Sequence, residues 1–176
     1  MESEDPVPRV VVGVSGTLGS LAALHRAATE AEARDAELWA VLAWQAPGGT
    51  MGSRHPCGIS GLAHYRAAAV ERLRGVLDTA FRADRPGVTL AGLTVRATAG
   101  AALVDTARDP DDLIVVGSGS RSWLRRLVRP SVARYCLAHA ACPVLTVPPL
   151  ALQAEFEAAH RRNVWRMPLD PRELTR

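Results

Sequence analysis

The chain has 176 residues, 48% of them hydrophobic and 22% charged, with a formal net charge of +3. That length suits one domain with a full core, and no stretch approaches the roughly 20 continuous apolar residues of a membrane helix. Every basic residue other than histidine is an arginine, so a lysine Schiff base, a lysine nucleophile and a P-loop lysine are all excluded.

The opening "MESEDPVPRV" is acidic where a secretion signal would be basic and then apolar. Residues 1–8 therefore read as a disordered acidic start, and a cytoplasmic location is expected. "RVVVGV", from Arg9 to Val14, is almost wholly apolar, as expected for a strand covered on both faces. The turn cluster "SGTLGS" follows, then a helix in which Leu21, Leu24 and Ala28 recur at helical spacing. Glu37 to Trp44 reads as a second buried strand, and "QAPGGTMGSRHPCGISG" as a loop. A helix from about His64 to Arg82 carries Val70, Leu73 and Leu77 as its apolar stripe.

"GVTLAGLTVR" predicts a third strand, "GAALVDTAR" a short helix ended by Asp109-Pro110, and "DLIVVG" a fourth strand. Ser131 to Ala140 predicts a helix and "CPVLTVPP" a last strand, whose bounding prolines suit the edge of a sheet. Residues 9–149 thus form one α/β domain. Its alternation predicts a doubly wound, five-stranded parallel sheet of Rossmann-like type with helices on both faces. Residues 150–176 add no strand and read as a helical and extended appendage.

Ligands of such sheets bind beyond the carboxyl ends of the strands, near the switch in strand order. "SGTLGS" and "GSGSRS" both fall there. "GVSGTLG" is not the G-x-G-x-x-G dinucleotide fingerprint, and Gln45 and Ala46 stand where the second strand would end in an acid. The later loop feeds a helix whose start is marked by Ser131, an arrangement that offers backbone N–H groups to an anion. From Leu113 to Ala154 the sequence has no acid, while Arg121, Arg125, Arg126, Arg129 and Arg134 all lie there. The basic character is local, which argues against nucleic acid as a partner. In "CLAHAAC", Cys136, His139 and Cys142 would share one face of a continuous helix, but the segment lacks a C-x₂₋₄-C pair and a fourth zinc ligand. It reads as a helix end packed on the core, and no metal site is expected.

"VVGVSGTLGSLAAL" and "VVGSGSRSWLRRLVRPSVARYCLAHAACPVLTVP" together resemble the opening and closing halves of the universal stress protein family. The resemblance implies an adenine nucleotide alpha-hydrolase-like fold, and a homodimer formed along the last strand, Pro143 to Val147. One branch of that family binds ATP through G-x₂-G-x₉-G-[S/T] after the fourth strand. On this chain Gly117 matches the first glycine, Ser120 the second, Pro130 the third and Ser131 the hydroxyl residue. Ser15 stands where the family has an aspartate, Thr17 keeps the neighbouring hydroxyl, and Ala43 holds the position whose backbone would meet the adenine. Pro130 supplies no N–H, and a hydroxyl holds Mg²⁺ poorly.

The implied nucleotide site thus comprises Gly13, Ser15, Thr17, Ala43, Val116, Gly117, Gly119, Ser120, Arg121, Arg125, Ser131 and Val132, with the arginines in reach of phosphate. The expected function is a dimeric stress-response regulator with a degenerate ATP motif, binding ATP or AMP weakly or conditionally. One alternative is a nucleotide-independent interaction module acting through its dimer surface and the tail around Trp165. Another is a nucleotide hydrolase, for which Ser15, Ser131 and His25 are poor candidates.

Overall fold

A computed structural model describes residues 7–46, 59–83, 85–118 and 131–148. The chain order is β1 (Arg9–Gly13), α1 (Leu18–Arg34), β2 (Glu37–Trp44), α2 (Ile59–Ala80) and β3 (Leu90–Arg96), then α3 (Ala99–Thr106), β4 (Leu113–Gly117), α4 (Val132–His139) and β5 (Val144–Val147). All strand pairs are parallel, and the sheet order is β3-β2-β1-β4-β5. The doubly wound α/β architecture read from the sequence is the one observed, with β5 at an edge.

Strand alternation explains why the runs are apolar throughout. Val10, Val12, Leu38, Ala40, Leu42, Leu113 and Val115 point to one face, where Ala23, Leu24, Ala27 and Ala31 of α1 and Leu73 of α2 cover them. Val11, Val41, Ile114 and Val116 point to the other face, against Leu103 of α3 and Cys136 of α4. Thus one buried cluster lies on each side of a sheet whose central strand is β1.

Several boundaries differ from the sequence reading. Helix α1 begins three residues earlier than Leu21, because Thr17 caps it and accepts from the Ser20 N–H at 3.3 Å. Helix α2 begins at Ile59 rather than near His64, and β3 at Leu90 rather than Gly87. Of the predicted α2 stripe, Leu73 is buried and Val70 is only half-covered, and Ala69 takes its place in the core. Helix α4 stops at His139, so Cys142 lies on the turn before β5 and shares no helix face with Cys136. Both thiols are buried, whereas exposed His139 places Nδ1 2.9 Å from the Tyr135 carbonyl and stacks on the Tyr135 ring.

Among the described residues, one charged side chain lies in the core. Asp112, directly before β4, is 1% exposed. It accepts from the Arg9 backbone N–H and Nε at 3.1 Å each, from Arg9 Nη2 at 2.8 Å and from the Asp109 N–H at 3.2 Å. The Arg9 guanidinium also lies 5.4 Å from the centre of the Trp39 ring. The register Val10↔Leu113 places the pair at the amino end of the sheet, opposite to where an α/β sheet binds ligands.

Candidate functional site

The strand order reverses at β1, which pairs with β2 on one side and β4 on the other. The β1–β2 register continues to Gly13↔Val41, and Val14 N–H extends it by donating to the Val41 carbonyl at 2.9 Å. The β1–β4 register stops earlier, at Val12↔Val115. Beyond that point no β1–β4 pairing continues, which leaves Ser15–Thr17 and Gly117–Ser118 as the two sides of a candidate crevice. Such a crevice at the switch point is where open α/β sheets take ligands.

The β1 side of the crevice is a short polar turn. Gly16 has φ +78°, which a glycine adopts without strain. Ser15 and Thr17 are both exposed, and their hydroxyl oxygens lie 3.1 Å apart. Ser20 fastens the turn from below. Its Oγ donates to the Thr17 carbonyl at 2.9 Å and accepts from the Ser15 N–H at 3.2 Å.

The β4 side is set by close packing. A Cβ on Gly117 would lie 3.0 Å from the Gly19 carbonyl oxygen. The glycine is therefore needed for the approach of α1 to β4, whatever its part in binding. The Ser118 N–H donates to the Val147 carbonyl at 2.8 Å, so that amide is already engaged.

The remaining predicted residues divide clearly. Gly13 is half-buried, and a Cβ there would meet Leu103 at 3.1 Å. Val116 is a core side chain at 3% exposure, and its backbone lies in the ladder with β5. Ala43, half-buried near the end of β2, packs toward the opposite face of the sheet from Trp44. Ser131 caps α4, with Oγ 3.4 Å from the Arg134 N–H, and Val132 is the helix's first residue. Gly119, Ser120, Arg121 and Arg125 lie outside the described residues, as do Pro130, Pro149 and the tail around Trp165.

One residue of the site escaped the sequence reading. Arg72 of α2 donates from Nη2 to the Ser15 carbonyl at 2.5 Å. Val76, one turn further along, would be 3.4 Å from a Cβ on Gly16. Helix α2 thus lays two side chains at helical spacing on the β1 turn. The signal was available: positions 68, 69, 75 and 76 are Ala, Ala, Gly and Val, so Arg72 has no acid one turn away, unlike Arg74, which pairs with Glu71 at 2.7 Å.

Among the described residues, the hydrolase candidates Ser15 and His25 have other partners. His25 packs edge-on against Phe81, with ring centres 5.7 Å apart, and the Ser15 hydroxyl faces Thr17 rather than a base. Among the described residues no group of three or more His, Cys, Asp or Glu side chains could hold a metal ion. Nor is any described helix long and apolar enough to cross a membrane.

Residues 6–148 match the model of the universal stress protein family. Among solved structures, the chain is similar to a universal stress protein in complex with cAMP, at 27% identity and a TM-score of 0.60, over 82% of this chain and 99% of that one. It is also similar to a universal stress family protein from Burkholderia pseudomallei, at 28% identity and a TM-score of 0.54, over 81% of this chain and 96% of that one. The universal stress protein UspA from Lactobacillus plantarum, at 21% identity and a TM-score of 0.60 over 82% and 99% of the two chains, shares the fold. No curated protein matches the chain. With a five-stranded parallel sheet and a family match across all nine described elements, the chain belongs to the universal stress protein family.

Proposed function

We propose that this chain is a cytoplasmic regulatory protein that binds an adenine nucleotide, weakly and without turnover, in the crevice between β1 and β4. The observation that carries this reading is the end of the β1–β4 pairing at Val12 and Val115, with Ser15, Thr17 and Gly117 beyond it. The 27% identical relative solved with cAMP supports the ligand class. Ser15 favours a ligand bound without metal, since a hydroxyl is a poor Mg²⁺ ligand compared with a carboxylate. This reading takes binding rather than hydrolysis, with the Ser15 hydroxyl on Thr17 and His25 packed on Phe81.

The same reading includes a homodimer along β5. Ile114 N–H donates to Pro143 and Ser118 N–H to Val147, so alternate residues of β5 face β4. The N–H and C=O groups of Val144 and Thr146 then point away from the sheet as an open edge.

Calorimetric titration with cAMP, AMP and ATP, with and without Mg²⁺, tests the binding. Dissociation constants above about 1 μM are expected, that is, binding weaker than about 8 kcal/mol, with no gain from Mg²⁺. Absence of heat with all three nucleotides, together with no nucleotide released from the purified protein on denaturation, refutes it.

A further inference from the structure

We infer that Arg72 is the anion-recognising residue of the crevice, and that it selects nucleoside monophosphates, cyclic AMP among them, over the uncharged nucleoside. The inference rests on the proposed nucleotide site and assigns it a charge-selective contact. Three observations converge on Arg72. Its guanidinium spends one donor on the neutral Ser15 carbonyl, and a guanidinium has five. It joins no ion pair among the described residues, where the pairs are Arg9–Asp112, Arg26–Glu30, Arg34–Glu30, Arg74–Glu71 and Arg108–Asp105. It is also exposed beside the turn after β1 while its backbone is fixed, because adjacent Leu73 is 5% exposed in the core and Val76 is packed at Gly16.

Ser15 completes the argument. A carboxylate at position 15 would lie beside the guanidinium and neutralise it. The hydroxyl leaves the positive charge unspent, beside two hydroxyl groups that can donate to phosphate oxygens. A planar fork of N–H donors suits a phosphate with two non-bridging oxygens. The Arg72 Nη2–Ser15 bond is one neutral-acceptor hydrogen bond, so a phosphate that displaces the carbonyl gains a charge-assisted bond in exchange.

The test compares adenosine, AMP and cyclic AMP, without Mg²⁺, on the full chain and on Arg72→Gln and Ser15→Asp. The native chain should bind both monophosphates at least about tenfold more tightly than adenosine, a margin that shrinks as salt is raised. In Arg72→Gln that margin should fall to within about threefold, the loss falling on the two monophosphates, because the charge contact is lost. Ser15→Asp should shrink it likewise by pairing with Arg72. Circular dichroism and melting of each variant should match the native chain, since both positions are exposed. A margin that survives Arg72→Gln overturns the role of Arg72 while leaving the nucleotide site standing. Failure of the native chain to bind any of the three overturns the site and this assignment together.

Discussion

Replacing Asp112 by alanine removes the acceptor of four hydrogen bonds at once, three from Arg9 and one from the Asp109 N–H. Breaking a buried ion pair by deleting one partner costs about 3–5 kcal/mol. The Arg9 side chain is 26% exposed and the Asp112 side chain 0%, so the stranded guanidinium regains some water and the lower figure applies. About 3 kcal/mol corresponds to a fall in Tm of about 6–12 °C for a chain of this size. Arg9→Gln should cost at least as much, because it strands the fully buried partner and also leaves the Trp39 ring without its cation. Asp112→Asn keeps one acceptor oxygen and should fall between native and alanine. Urea denaturation of the three single variants and of the Arg9→Gln/Asp112→Ala double variant gives the coupling, expected to exceed about 1 kcal/mol for residues in direct contact. A loss below about 1 kcal/mol in Asp112→Ala, or additive effects in the double variant, would refute the reasoning.

Gly117→Ala should destabilise by about 1–3 kcal/mol, since the new Cβ meets a backbone carbonyl that only a shift of α1 can relieve; an unchanged Tm would show that α1 is not held there. Burial, and secondarily the neighbouring Cys142, pushes the Cys136 thiol up from 9.0 to about 11. The folded state then holds a proton that the unfolded chain has released, so this contribution is fully present below pH 9 and is lost toward pH 11. The slope is at most about 1.4 kcal/mol per pH unit. Stability measured from pH 8 to 11 should fall less steeply in Cys136→Ala than in the native chain, and parallel curves would contradict the assignment. Thr146→Pro removes a donor that faces away from β4, so it should dissociate the proposed dimer while the fold survives. Sedimentation that shows an intact Thr146→Pro dimer would place the interface elsewhere.

The strands were legible because their apolar runs are short and sharply bounded. Glu37–Trp44 was read to the residue. The start of α2 was not, since residues 59–63 carry no stripe that separates helix from loop. Local spacing also suggested a shared helix face for Cys136 and Cys142, which the stop at His139 removes. Asp112 opens the "DLIVVG" run, yet its partner Arg9 is 103 residues away, a distance over which no local pattern can reach. At the site, the turn residues Ser15 and Thr17 were found through the family pattern. Arg72 was missed because an arginine on a helix surface usually faces solvent, and only the fold brings α2 across the β1 turn. Gly117 was found for one reason and is explained by another, the close approach of α1.

The position of β1 at the centre of the sheet has a consequence for how the chain is made. Of the described strands β1 is made first, and its neighbour β2 follows within thirty residues, but β4 begins at Leu113, 104 residues after Arg9. At about 5–20 residues per second, the free side of β1 waits on the order of 5–20 s for its partner. During that interval Val10, Val11 and Val12 form an open apolar edge, the kind of surface that mispairs with other chains. Arg9 at the start of that edge remains charged and unpaired until Asp112 arrives, which discourages premature pairing at the one place where β4 must later dock. Ser15–Thr17 and Gly117–Ser118 come to the same end of the sheet only when β4 docks, so the two sides of the candidate crevice meet after β1, β2 and β3 have been made.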